Sequence, residues 1–200
     1  IVATEEGFEL EEALFETLAL PFGLEVRGGY FLTEFGLINP THAHAWDFMD
    51  QPVINSRLFG GDGTRGIGAR LGWKVPAPWY FEVKFGMQNA NDDTMVSFLG
   101  EGHDHGGHDH DEEETVGGWG TVEREIESFH EFLYLLNLNQ YWDVGESLRL
   151  GFGLSGLYGA NRSGDTGKTW IGGLDFSAFW SNDGSFFIST QVEVMYRYLQ

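Results

Sequence analysis

Cysteine is absent from this 200-residue chain. That absence excludes a disulfide framework, thiolate catalysis and a cysteine-based zinc or iron–sulfur site. Basic residues are scarce: 11 Lys and Arg stand against 31 Asp and Glu, a formal charge of −20. Nucleic acid is therefore excluded as a partner, because phosphate binding needs clustered Lys and Arg. No apolar run approaches the ~18 residues of a membrane helix. The stretch Ile1 to Glu16 has no basic start, apolar core or small-residue cleavage site of a signal peptide. The other end, Tyr198-Leu199-Gln200, falls inside a strand-like pattern. These features read as one mature or truncated piece of a larger barrel domain, spanning 1–200.

What the chain does have is glycine, 29 residues or about twice the usual ~7%, and aromatics at 16%. Its apolar residues recur with period two, the mark of half-buried strands. Phe186, Ile188, Thr190, Val192, Val194, Tyr196 and Tyr198 alternate with Phe187, Ser189, Gln191, Glu193, Met195 and Arg197. Similar alternation runs through Leu24–Tyr30, Ala69–Val75, Phe81–Gln88, Leu148–Ser155 and Trp170–Trp180. Two runs are less clean. Leu10 to Leu20 carries Glu12 and Glu16 in register with leucines, and Phe129 to Trp142 is partly apolar on both faces. Short connections with turn chemistry pair these runs: Phe22-Gly23, Pro76-Ala77-Pro78-Trp79, Asp143 to Glu146 and Asn182-Asp183-Gly184. Between the pairs lie long loops at 37–65 and 91–125, and a shorter one at 161–168.

The expected fold is all-β, with about eight antiparallel strands. Short turns on one side and long loops on the other are the signature of a transmembrane β-barrel. Several runs reach the ~9–11 residues that a crossing strand needs. Trp79, Tyr80, Trp142, Trp170, Trp180, Tyr196 and Tyr198 fall near strand ends, as interfacial girdles do. As part of a larger barrel, the piece is expected to form an open curved sheet with unpaired edges. Alternation alone also fits a soluble sandwich or a lipocalin-like ligand binder. Loop asymmetry, strand length and aromatic ends favour the membrane barrel.

Charge is unevenly placed. Between positions 91 and 127 there are twelve acids and one arginine, so over half of the net charge lies there. The strand charges nearly balance. Arg27, Arg70, Lys74, Glu82, Lys84 and Arg149 are the candidate lumen-facing set. Mixed charge of that kind suits a hydrated path, and an acidic loop concentrates cations at its mouth.

The strongest chemical feature is the segment 103–114. His103, Asp104, His105, His108, Asp109, His110 and Asp111 surround Gly106-Gly107 and precede three glutamates. Imidazole with carboxylate suits Zn²⁺, and also Ni²⁺ or Cu²⁺. The glycines would let the two halves close on one ion. The alternative is a solvated polar loop that binds metal incidentally. Imidazole titrates near ~6.5, so metal capture should weaken below about pH 6. His42 and His44 could join a metal site. The Trp, Phe, Pro and Gly content of 37–65 points instead to a structured loop folded over or into the barrel. No enzyme is expected. Gly151, Gly153 and Gly156 spell G-x-G-x-x-G inside a strand with no helix following, which excludes a dinucleotide fingerprint. Their expected use is to leave room inside the barrel or to let the strand bend. Gly60 to Gly66 lacks the Lys of a phosphate loop, and Leu157 breaks a G-x-S-x-G match around Ser155. Asn161-Arg162-Ser163 has the form of a glycosylation acceptor and nothing more.

The stretch Gly29-Tyr30-Phe31-Leu32-Thr33-Glu34-Phe35-Gly36-Leu37-Ile38-Asn39-Pro40 resembles a family of bacterial outer-membrane, porin-like proteins. So do His42-Ala43-His44-Ala45-Trp46-Asp47-Phe48 and Phe59-Gly60-Gly61-Asp62-Gly63. That family is labelled zinc-regulated, TonB-dependent outer-membrane receptor, and is similar to the phosphate-selective porins. The resemblance covers roughly 12–91. It implies a large barrel in a Gram-negative outer membrane, with about twice the strands seen here, acting in transport or as a receptor. This chain shows neither a plug domain nor an energy-coupling box. The expected partners are the lipid bilayer, metal ions or small solutes, and a second copy of the chain. A non-conducting surface barrel is the main alternative function.

Overall fold

The computed structural model describes residues 2–4, 7–61, 63–101, 115–116, 119–124, 126–182 and 186–200. Eight strands form one sheet: β1 (Ala13–Glu16), β2 (Leu24–Leu32), β3 (Arg65–Lys74), β4 (Tyr80–Gln88), β5 (Leu133–Val144), β6 (Leu148–Ala160), β7 (Lys168–Asn182) and β8 (Phe186–Leu199). Each pairs antiparallel with its neighbour in the chain, giving an open meander whose edges are β1 and β8. Two short ribbons, Val2–Thr4 with Gly7–Glu9 and Thr115–Val116 with Trp119–Gly120, stand apart from it. A short helix, α1 (Val53–Phe59), lies in the first long loop. Among the described residues no helix is long and apolar enough to cross a membrane.

The strand boundaries follow local chemistry. The run from Leu10 to Leu20 pairs only over Ala13–Glu16. Pro21 interrupts it, and Phe22 and Gly23 reverse the chain with φ of 63° and 73°, the hand that suits a tight hairpin. Strand β5 starts at Leu133, not at Phe129. Ser128 and Glu131 form a capping box that winds Phe129–Glu131 into a 3₁₀ turn, satisfying N–H groups that a strand would have had to pair elsewhere. Gly145, at φ 68°, turns β5 into β6. The expected turn at Asn182-Asp183-Gly184 falls mostly outside the described residues.

Register sorts the side chains cleanly. One face carries Ile67, Leu71, Trp73, Phe85, Leu136, Leu154, Leu174 and Val194, all exposed. The other face is polar toward the short turns, and the described parts of both long loops fold onto its far end. Its rows run straight across the sheet. Lys74, Glu82, Asn139, Gly153, Asp175 and Glu193 are successive register partners from β3 to β8.

The sheet is strongly curled around this polar face. Leu37 N–H donates to the Glu193 carboxylate on β8, yet Leu37 is five residues beyond the end of β2. Five residues reach at most about 18 Å. In a flat sheet β2 and β8 would lie about 29 Å apart. Even with the length of the glutamate side chain, the contact requires a concave surface.

The loops close the upper part of that concavity with an apolar core. Phe35, Leu58, Phe59, Ala90, Met95 and Phe98 from the loops pack on Leu133, Leu135, Leu157 and Ile171 from the strands. Phe35 and Phe59 meet at 5.1 Å between ring centroids. Gly173 lets this happen, since a Cβ there would strike the Phe35 ring.

Candidate functional site

The polar face holds two connected groups of side chains below the apolar core. The first is an ion-pair network on β1 to β4. Arg70, only 2% exposed, meets Glu25 at 2.5 Å, Glu34 at 3.1 Å and Glu16 at 3.2 Å. Arg27 pairs with Glu16 and, at 2.9 Å, with Glu34. Lys84 reaches Glu34 at 3.4 Å and Glu82 at 3.5 Å. Arg27 and Arg70 are register partners, an unfavourable pair by itself that these acids neutralise. Glu34 is the hub: it comes from the loop, not from a strand, and so ties the loop base to three cations.

The second group lies on β5 to β8. Ser155 Oγ accepts from Gly36 N–H at 3.0 Å and from Asn137 Nδ2 at 2.9 Å. Glu193 accepts the N–H groups of Leu37 and Ile38 and, at 3.3 Å, Nδ2 of Asn55 on α1. Gly36 takes φ 64° directly against this carboxylate, which leaves no room for a Cβ. Asp175, beside Glu193 in register, is buried, and its Oδ2 has no partner. The loop 33–64 thus crosses the concave face from β2 to β8 and is fastened at both ends by carboxylates. Its base is clasped by Asn39, which donates to the carbonyls of Thr33 and Thr64 and accepts from Thr64 N–H.

All six strand residues singled out from sequence, Arg27, Arg70, Lys74, Glu82, Lys84 and Arg149, stand on the polar face. They are not one cluster. Arg27, Arg70, Glu82 and Lys84 belong to the network. Lys74, at the turn end, joins it through Glu25 at 3.6 Å, while Arg149 stands apart, paired with Asp143 at 2.7 Å. Sequence reasoning missed Glu34 and Glu193. Glu16 stood out only as a break in the pattern, and its place beside Arg27 and Arg70 explains that irregularity.

The metal candidates His103, Asp104, His105, His108, Asp109, His110 and Asp111 lie outside the described residues. Among the described residues no group of three or more His, Cys, Asp or Glu side chains is arranged to hold a metal ion. His42 Nε2 lies 2.9 Å from Glu12 and its Nδ1 3.7 Å from Glu11, with His44 stacked at 5.5 Å. These contacts hold the loop against the chain before β1. Glycine usage divides by face. A Cβ at Gly151 or Gly153 would strike Tyr141 or Asp175, so those two make room on the concave polar face. Gly156 faces the opposite way, into open space. Asn161 is buried, with Nδ2 on Thr169 Oγ1 at 3.1 Å, which removes it as a glycosylation acceptor.

Outside the polar face, aromatic side chains mark two levels on the apolar face. Trp73, Trp142 and Trp180 lie toward the short turns. Tyr134, Tyr158, Trp170 and Tyr196 lie toward the long loops.

No protein-family model matches the chain, and no solved structure matches it. An uncharacterized protein of Aquifex aeolicus (strain VF5) is 29% identical over 207 aligned positions. That similarity covers 97% of this chain, and the chain spans 40% of the relative's length.

Proposed function

We propose that this chain is part of a porin-like β-barrel of a bacterial outer membrane, passing or capturing small solutes along its polar, loop-lined concavity. The observation that carries the reading is the inversion of the sheet. Its charged face is covered by its own loops, while its apolar face is left bare across all the long strands. A contiguous apolar surface of that extent is untenable in water and suits hydrocarbon. A soluble lipocalin-like binder would bury the apolar face instead.

The aromatic levels support the same reading. Trp170 and Trp180 are ten residues apart on β7, about 34 Å along the strand. At a tilt of ~40° that is about 26 Å along the membrane normal, close to the ~25 Å apolar band of such barrels. In a bilayer the free edges of β1 and β8 have to be paired. Further strands joining them would close the barrel, and the greater length of the Aquifex relative leaves room for these strands.

In this reading the mixed-charge wall of Arg27, Arg70, Lys84 and their acids borders a hydrated path. The 103–111 segment gathers Zn²⁺ at its long-loop mouth through His103, His105, His108, His110 and the neighbouring aspartates. A second reading, a non-conducting receptor or surface barrel, is favoured by the loop 33–64, which reaches from β2 to Glu193 on β8. Planar-bilayer recording during a Zn²⁺ titration separates the two. Stable conductance steps, altered by zinc at pH 7 and unaltered at pH 5, are expected. Insertion without conductance would overturn the passage mechanism and leave the non-conducting barrel.

A further inference from the structure

The apolar face carries a notch at the long-loop end. Gly156 on β6 and Gly172 on β7 are direct register partners there. A Cβ added at either would meet no atom within 4 Å. The fold therefore does not demand glycine at these positions, unlike Gly153, Gly159 and Gly173 on the other face, where a Cβ would strike Asp175, Phe98 and Phe35. Glycine inside a strand is locally unfavourable, so the pair stands against strand propensity and leaves a hole. The hole has a volume of about 440 Å³, and Phe85, Tyr134, Leu136, Tyr158 and Trp170 form its sides. That is the size of an ordinary small-molecule pocket, with a wall that is almost wholly hydrocarbon.

Its walls are fixed. Tyr134 O–H donates to the Phe129 carbonyl at 2.6 Å, and the Tyr158 ring packs against Trp170 at 4.2 Å between centroids, tilted by 39°. At the loop-side rim stands Lys168, its Nζ 5.7 Å from the Tyr158 ring centre and donating to the His130 carbonyl at 2.7 Å. An ammonium has three protons to donate, so capacity remains for an anion. Beside it, Arg124 is matched by Glu131 at 3.0 Å. Lys168 lies two residues beyond Trp170, about 7 Å further toward the loops. From loops to mid-sheet the order is cation, aromatic pair, apolar notch. Phosphate headgroup, interface and acyl chain follow one another in the same order in a bilayer leaflet.

We propose that the Gly156–Gly172 notch seats an acyl chain of an anionic, phosphate-bearing lipid whose phosphate pairs with Lys168. This rests on the apolar face being lipid-facing. The hole supplies the chain site, and Lys168 supplies the preference for a negative headgroup over a zwitterionic one.

The test is native mass spectrometry of the detergent-released protein with phosphatidylglycerol or phosphatidylcholine of equal chain length. Liposome flotation of the same protein and variants runs alongside. Retention of phosphatidylglycerol over phosphatidylcholine by tenfold or more is expected. Lys168→Gln should abolish the preference, and Gly156→Leu, which fills the hole, should lower retention of both lipids. Both variants should still float with liposomes. Equal retention of the two lipids overturns the proposal, as does undiminished phosphatidylglycerol on Gly156→Leu. A dimer that Gly156→Leu dissociates would also overturn it, by making a second copy the occupant. Failure of the wild-type protein to float overturns the lipid-facing reading itself, and the proposal with it.

Discussion

Replacing Glu193 by Gln should unfasten the first long loop without unfolding the sheet. The Glu193 carboxylate accepts Leu37 N–H, Ile38 N–H at 3.2 Å and Asn55 Nδ2 at 3.3 Å. Hydrogen bonds to a charged acceptor contribute about 1.5–3 kcal/mol each, against about 1 for neutral ones. Glutamine keeps one acceptor oxygen and turns an NH₂ toward donors that cannot accept it. The net loss is about 2–3 kcal/mol, or about 30- to 150-fold in the opening equilibrium of the segment. The Phe35 and Phe59 packing remains, so the loop should open more often and not leave the concavity. Hydrogen exchange read by mass spectrometry measures this directly. Peptides covering 36–38 should exchange faster by that factor, while peptides from β5 and β6 keep their rates. Acceleration below about threefold would refute the view that Glu193 fastens the loop.

Two further outcomes follow from the loops and the ion-pair network. Arg70→Met should destabilise the protein by about 3–5 kcal/mol, because Glu16, Glu25 and Glu34 lose a shared, buried partner. Adding Glu34→Gln should recover part of that loss, as denaturant midpoints of the single and double variants would reveal. At the 3₁₀ turn, the N–H of Glu127, then Arg124, hold the Glu131 carboxyl down at about 2. A carboxylate depressed from an unfolded value of about 4.3 lends stability above that value, and the contribution fades as pH falls toward 2. A carbon-detected NMR titration should place the Glu131 midpoint near 2, and a midpoint above 4 would deny the turn these contacts.

The strands are legible in the sequence because one face of each is apolar. In β8 the alternation of Ile188, Val192 and Val194 with Gln191 and Glu193 is enough by itself to assign both faces. The short turns are legible for their Gly and Pro chemistry. Where the first loop goes is legible only in kind: its aromatic content calls for burial, but its attachment to Glu193 joins residues more than 150 positions apart. Glu34 as hub is equally hidden, since its three cations come from three different strands. The outward aim of Gly156 is readable, although the expectation of room inside the barrel overlooked it. It lies three positions from Gly153, and an odd interval on a strand reverses the face. Phe129 misleads because an apolar residue ahead of a strand resembles its first member, while the Ser128 and Glu131 capping pair that stops it is in plain view.

Which face of the sheet meets lipid decides whether it is a barrel wall, and the absence of cysteine makes site-directed spin labelling of the membrane-reconstituted protein clean. Labels at 190 to 195 on β8 should show a period of two in collision accessibility. Positions 192 and 194 should favour oxygen dissolved in hydrocarbon, and 191 and 193 a water-soluble nickel complex. Positions 192 and 194 exposed to the nickel complex, with no alternation, would contradict the barrel.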